Sequence, residues 1–359
     1  MYLRVPTGVG GHRRDQKMSA RDLRDVLAGG AAWAVRHGFG NEDELDRIEE
    51  RGRLDWADPD LVSARALERG QPQLGTLGSG NHFAEVQYVD EIYDEAVAAA
   101  FGLARDQVTI MIHSGSRGLG HQVCDDHLRV MIGAARKYGI DLPDRQLCCA
   151  PLGSPEARDY LGAMAAAANF AFANRQLMAH HVREAVGAAL GTAPDRAGLH
   201  TVYDVCHNIA KFETFQVGSR SRRVCVHRKG ATRAYPPGHR DTPAPYRHVG
   251  QPVLIPGDMG RYSFVLAGTQ HAFDHTFGST CHGAGRLLSR SAAKRAVRGR
   301  SLHAELEARG VFVKAAGMAT IAEEMPEAYK DVADVVEVVH RSGLSTRVAR
   351  LRPMGVIKG

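Results

Sequence analysis

Apolar residues recur at helical spacing through Leu23, Val26, Leu27 and Val35, directly after Ser19-Ala20-Arg21-Asp22. A hydroxyl followed three residues later by a carboxylate is a helix-start pattern, so a helix is predicted to about His37, stopped by Gly38, Gly40 and Asn41. Residues 41–69 are charged, with short helical pieces. Residues 75–89 (GTLGSGNHFAEVQYV) read as a glycine-rich loop running into an alternating strand, and 108–112 (VTIMI) as a buried strand that delivers HSGSRGLGH at its end. Ser154-Pro155-Glu156 opens the longest helical signal, rich in alanine and ending near Leu190-Gly191. From Val202 onward the runs VYDVCHNIAKFE, RRVCVHRKGATRA, PVLIPG and YSFVLAG predict strands punctuated by glycine. GVFVKAAG precedes a final helix from about Pro326, and the opening PTGVGG reads as a loop.

The polar residues that look chemical are spread from Asn81 to Lys358, with no repeat or linker between them. That spread predicts one α+β domain over 1–359, a single large mixed unit of β-sheets flanked by helices, with loops converging on one site. Composition adds modest constraints. A chain of 359 residues that is 44% hydrophobic can bury a large core, and a net charge of +6 favours an anionic partner. The six cysteines form no CxxC pair and no secretory framework, and no apolar run approaches a membrane span, so a cytoplasmic protein with no membrane association is expected.

The 18 histidines change the picture more. His82 in GSGNHFAE, His113 in HSGSRGLGH and His207 in CHNIAK each sit beside small or amide residues at a strand–loop junction, where backbone and ligand can approach closely. Together they point to metal binding through neutral imidazole, although each alone fits a hydrogen-bonded corner residue. HSGSRGLGH and HRKGATRA read as oxyanion binders through Arg117, Arg228 and Lys229, with Ser114, Ser116 and Thr232 beside them. Neither matches a Walker A loop or a dinucleotide fingerprint. In STCHGAGR, His282 stands among hydroxyls, glycines and Arg286, a setting in which a ring nitrogen can attack phosphorus while the guanidinium steadies the phosphoryl oxygens. The following LLSRSAAKR predicts a helix whose N-terminus could present that loop.

GTLGSGNHFAEVQ, HSGSRGLGHQV, HNIAKFE, VHRKGATRAYPPGH, STCHGAGRLLSRSAAKR, PEAYKDV and GVIKG, in this order, resemble the RtcB family of RNA ligases over residues 5–359. The resemblance implies an RtcB-type fold and a 3′-phosphate/5′-hydroxy nucleic acid ligase. Such an enzyme joins RNA ends bearing a 3′-phosphate or 2′,3′-cyclic phosphate to 5′-hydroxyl ends in tRNA splicing or RNA repair, using GTP and Mn²⁺. It implies that His282 takes GMP, that His82, His113 and His207 ligate manganese, and that Asn81 contacts phosphate. Glu85, Ser263, Gly285, Arg286, Tyr329 and Lys358 would surround the guanine nucleotide, while Arg117, Lys229 and the HRKGATRA loop suit phosphate or RNA. An activating protein partner is left open.

The family pattern carries an upstream Asp-x-x-Cys motif whose carboxylate and thiolate ligate the metal pair. This sequence starts downstream of it, so one or two ions are expected. Cys124-Asp125 and Asp204-Val205-Cys206 lie near other ligand motifs without that pattern. PGDMGRYSF differs as well, with Asp258 and Arg261 at positions that are usually small or hydroxyl-bearing. Besides a ligase, two readings stay open: a remnant that binds nucleotide or RNA, and a metal-dependent cyclic phosphodiesterase.

Overall fold

Ser19 caps the first helix as its sequence predicts. Its hydroxyl accepts from the Asp22 amide at 3.1 Å, and the Asp22 carboxylate accepts from the Ser19 amide at 2.9 Å, opening helix Ala20–Arg36. The computed structural model describes residues 1–8 and 18–359, so PTGVGG from Val9 onward lies outside the described residues. Helix Pro155–Leu190 runs for 36 residues, with Ser154 Oγ accepting from the Ala157 amide at 3.2 Å and Gly191 ending it at φ 65°. Its many alanines let helix Ala20–Arg36 pack close, and Leu23, Leu27, Phe170 and Leu177 are buried between the two. Among the described residues no helix is long and apolar enough to cross a membrane.

The described strands are, in chain order, β1 (Phe83–Ile92), β2 (Val108–His113), β3 (Asn208–Val217), β4 (Arg220–Lys229), β5 (Ala231–Arg233), β6 (Pro252–Ile255), β7 (Ser263–Gly268), β8 (Ser279–Cys281), β9 (Phe312–Ala315) and β10 (Ser345–Lys358). A six-stranded sheet has the order β2-β1-β10-β7-β6, with β9 added in parallel along the last residues of β10. β3 and β4 form one antiparallel ribbon, and β5 and β8 a second. The helical layer, the sheet and the ribbons make a single mixed α+β domain, as the sequence predicts.

Two elements differ from expectation, and one strand carried no reading from the sequence. HSGSRGLGH is not a free loop beyond Ser116, because helix Arg117–Lys137 starts there. Gly118 and Gly120 serve close packing: a Cβ on Gly120 would fall 1.9 Å from Ser116 Oγ and one on Gly118 2.8 Å from Gln73 Oε1. The final helix begins later, at Val332, where the Asp331 carboxylate accepts from the Ala333 amide at 2.9 Å, and Pro326–Ala328 form only a tight 3₁₀ turn. The segment ARLRPMGVIKG belongs to β10, the middle of the sheet. Pro353, which cannot donate to a ladder, sits where the register with β1 slips between Val86 and Gln87.

Candidate functional site

Register places most candidate residues at one end of the sheet. Phe83, the first residue of β1, pairs with His113 on one side and Lys358 on the other, and Asn81 and His82 immediately precede it. His207 leads into β3, and His282 follows β8. The four rings form a chain: His82 and His113 have centroids 6.0 Å apart, His113 and His207 5.0 Å, and His207 and His282 4.5 Å in a stacked pair. The Nε2 atoms of His113 and His207 are 3.4 Å apart.

Burial keeps these imidazoles neutral. It lowers His82 to about 4, with Arg117 adding to the effect, and His207 to about 3, with His282 adding. His113 is held well below the usual histidine range by burial and then by His207. His282 is lowered by burial, against which the backbone of Gly230 favours the charged form. Neutral rings with free lone pairs are the state a cation would need, and the His113 and His207 Nε2 atoms already lie close together. His82 Nδ1 and His282 Nδ1 are buried without a well-formed hydrogen bond. A Cβ on Gly78, at φ +103°, would fall 2.3 Å from both His82 Nδ1 and Arg117 Nη1, so only glycine lets that turn close over them.

On the other side of His282 is a pocket that brings together Asn81, Glu85, Tyr329 and Lys358. Burial pushes the Glu85 carboxyl up to about 8, while Gln87 and Lys358 pull the other way. Burial also lowers Lys358, whose Nζ lies 3.9 Å from the Glu324 carboxylate and donates to the Gly80 carbonyl at 3.4 Å. Ser263 stands one step back, its hydroxyl accepting from Gln87 Nε2 at 3.0 Å and from the Gly257 amide at 3.2 Å. Arg286 is fully engaged in the wall: it donates to the Tyr329 hydroxyl at 2.8 Å, the Glu324 carboxylate at 3.1 Å and the Glu323 carbonyl at 2.6 Å. The Gly285 carbonyl accepts from the Lys330 amide at 2.9 Å, closing the same wall.

Arg117 reaches the histidines, donating to Thr76 Oγ1 at 3.0 Å and to the Gly8 carbonyl at 3.2 Å, and burial lowers it to about 10. Lys229 is exposed at the end of β4, where a Cβ on Gly230 would sit 3.6 Å from His282 Cε1. Arg228 is not brought to the site. It is only 2% exposed and holds Glu213 through two bonds of 2.8 and 2.7 Å, because alternation along β4 turns it inward. Nor does a helix N-terminus present His282, since the nearest helix starts at Arg290.

These positions belong to a recognisable sequence family: the profile described as tRNA-splicing ligase RtcB matches residues 1–359. The chain belongs to the RtcB family. Proteins named tRNA-splicing ligase RtcB from Archaeoglobus fulgidus and Thermococcus kodakarensis are 56% and 55% identical to it over the whole chain, which covers 74% of each. The one from Methanococcus maripaludis is 50% identical and 75% covered.

Some residues that hold the site's segments together in this RtcB family member escaped the sequence reading. Arg175, midway along the long helix, donates to Asp204 at 2.7 Å and the Ser114 carbonyl at 3.2 Å, and lies 3.8 Å from Cys206 Sγ. It therefore ties the segment after His113 to the segment before His207. Asp204 and Cys206 are thereby committed, and burial pushes the Cys206 thiol up to about 12, so neither serves as a spare anionic ligand. Asp125 lies 3.3 Å from His121 on the helix that follows His113. A separate ligand-type group, His180, His181 and Glu184, has its donor atoms within 4.8 Å of one another, and His181 Nδ1 lies 2.9 Å from the Glu184 carboxylate. Arg175→Lys cannot reproduce a planar fork spanning three acceptors. It is expected to loosen the segments that carry His113 and His207 and to cost about 1–3 kcal/mol of stability, measured by urea unfolding.

Proposed function

We propose that this protein is a GTP- and Mn²⁺-dependent RNA ligase that joins 3′-phosphate or 2′,3′-cyclic phosphate ends to 5′-hydroxyl ends through a guanylated His282. The observation that carries the reading is the position of His282, a neutral ring shared between the Glu85–Lys358 pocket and the histidine chain. Membership of the RtcB family supports it.

In this reading Glu85 accepts from guanine N–H groups, Lys358 donates to the base, and Tyr329 walls the pocket. His282 Nδ1 faces the Gly230 side, leaving Nε2 to attack the α-phosphorus of GTP. The N–P bond forms as the bond to the β-phosphate oxygen breaks, and pyrophosphate leaves. A cyclic end is first opened by water to a 3′-phosphate, and an oxygen of the 3′-phosphate then takes the GMP as the N–P bond breaks, restoring the imidazole. Finally the 5′-hydroxyl oxygen attacks the activated 3′-phosphorus, expelling GMP and losing its proton. The neutral imidazoles of His82, His113 and His207, two of them with Nε2 atoms 3.4 Å apart, suit a borderline divalent cation and would hold Mn²⁺, which when bound would neutralise charge on phosphate oxygens. Lys229 and Arg117 add fixed positive charge nearby.

The test is end joining of a 3′-phosphorylated and a 5′-hydroxyl RNA with GTP and Mn²⁺. A joined product is expected, and no product from folded, metal-loaded protein would defeat the proposal. One observation favours a second reading, a nucleotide- or RNA-binding protein without ligation: among the described residues no carboxylate or thiolate joins the three histidines. It would show as guanine nucleotide binding without joined product, and a cyclic phosphodiesterase as ring opening without GTP.

Glu85 also sets a pH dependence. The carboxyl is protonated below about 8, and only its ionised form accepts two N–H bonds. Guanine nucleotide affinity is therefore expected to fall as pH drops below 8, at most about tenfold per unit. Glu85→Gln should flatten that profile in a fluorescence titration, and a flat wild-type profile would refute the assignment.

A further inference from the structure

The β3–β4 ribbon has a buried face and a more open one, on which Ala210, across from His227, is itself buried. One carries Ile209, Lys211, Phe215, Val226 and Arg228, all buried. On the other, Arg223, Cys225, His227 and Lys229 follow one another on β4, and Phe212 and Thr214 lie across from them on β3. Arg223, His227 and Lys229 are exposed. Among the described residues no carboxylate forms an ion pair with Arg223 or Lys229, so this face holds positive charge that no internal partner neutralises. Arg223 instead lies over the Phe212 ring, its guanidinium carbon 4.8 Å from the centroid. His227 Nε2 lies 3.6 Å from Cys225 Sγ, which confirms that these side chains share one side.

The row ends at the site. Gly230 follows Lys229 directly, its amide donates to the His207 carbonyl at 3.2 Å, and a Cβ there would meet His282 at 3.6 Å. Successive residues on one face of a strand are about 6.8 Å apart, a step of the same order as the phosphate repeat of an extended single strand. From Arg223 to Lys229 the row covers about 20 Å, room for some three nucleotides. Cations at the two ends of the row can each meet a phosphate, and an arginine-backed aromatic ring offers a stacking surface indifferent to base identity.

We propose that this outward face of the β3–β4 ribbon is a track for single-stranded RNA, which leads the strand's 3′ end past Lys229 to His282. The proposal rests on the RNA reading above. It assigns the entry path of the strand whose 3′-phosphate is activated, with Arg223 and Phe212 gripping the nucleotides about three positions upstream of that end.

The experiment compares 3′-phosphorylated RNAs of two and eight nucleotides by fluorescence anisotropy across a salt series. It uses the wild-type protein, Arg223→Glu and Arg222→Glu. Arg222 is equally exposed on the same strand but points to the opposite face, so it controls for net charge. The wild type is expected to bind the longer RNA at least about tenfold more tightly than the shorter, and Arg223→Glu to remove that advantage and lower the salt slope by about one. Arg222→Glu should stay within about twofold of wild type, and both variants should melt like the parent. If the wild type binds neither RNA, the RNA reading itself falls. If it binds RNA but shows no length advantage, or Arg223→Glu keeps it, or Arg222→Glu loses as much, the track alone is overturned.

Discussion

His282→Ala is expected to abolish transfer of label from α-labelled GTP to the protein, a loss of about 10³-fold or more, while the fold and guanine nucleotide binding survive. The residue stands in a loop after β8, half-buried, and its Nδ1 has no well-formed bond that would be left broken by truncation. Glu85 and Lys358, the proposed base-binding groups, belong to different strands and keep their partners Gln87 and Glu324. Loss of the adduct with unchanged nucleotide affinity would therefore identify a nucleophile and not a binding group. The acid-labile adduct is read by gel after acid and alkaline treatment. An adduct that persists in His282→Ala would place the nucleophile elsewhere.

Lys211→Met is expected to destabilise the protein by about 3–5 kcal/mol, measured by urea unfolding. Lys211 is 2% exposed and lies 2.7 Å from Glu49, 2.9 Å from Glu50 and 3.7 Å from Glu213. Arg233 reaches the same two carboxylates, Glu50 at 2.7 Å and Glu49 at 3.5 Å. Burial alone would raise Glu49, but Lys211 and Arg233 outweigh it and hold the carboxyl at about 2. The sign follows: this contribution is present above the unfolded value of 4.5 and is lost as pH falls toward 2. Removing the ammonium leaves Glu49 buried with one cation fewer, so the acid limb of stability should also move to higher pH in the variant. Because Glu49 accepts from the Cys206 amide at 2.9 Å, the same change should loosen the segment that carries His207.

The comparison of sequence with structure divides by kind of residue. His82, His113, His207 and His282 were legible because each sits in a glycine- and amide-rich motif at a strand end, where few packing reasons compete with chemistry. Arg175 and Asn174 were not, because they lie inside an alanine-rich helix whose pattern reads as core. Yet Asn174 accepts from the Gly75 and Thr76 amides at 2.7 and 3.1 Å and donates to the Gly115 carbonyl at 3.1 Å, holding the loops that precede His82 and follow His113. The available signal was the polar run Asn174-Arg175-Gln176 on an otherwise buried stretch, since polar groups survive there only when paired. Glu324 and Gln87 went unseen for a different reason: each acts through a neighbour, Glu324 through Tyr329 and Arg286, Gln87 through Glu85 and Ser263. Arg228 misled because its motif is basic throughout, and only strand alternation separates the inward Arg228 from the outward Lys229. β10 was hidden by Arg347, Arg350, Arg352 and Pro353, which its bulges accommodate.

The pairing of β1 with β10 has a kinetic side. Residues 83–92 find their partners at 349–358, so the middle of the sheet cannot zip until almost all of this sequence has left the ribosome. Helix Ala20–Arg36 and helix Pro155–Leu190 can dock much earlier, leaving β1 with an open ladder and apolar face throughout elongation. Closure over so long a loop is slow, and waiting strand edges invite wrong partners. The pocket beside His282, with Glu85 on one of those strands and Lys358 on the other, is then among the last features to appear, and a chain stalled partway through synthesis carries helices but no such pocket.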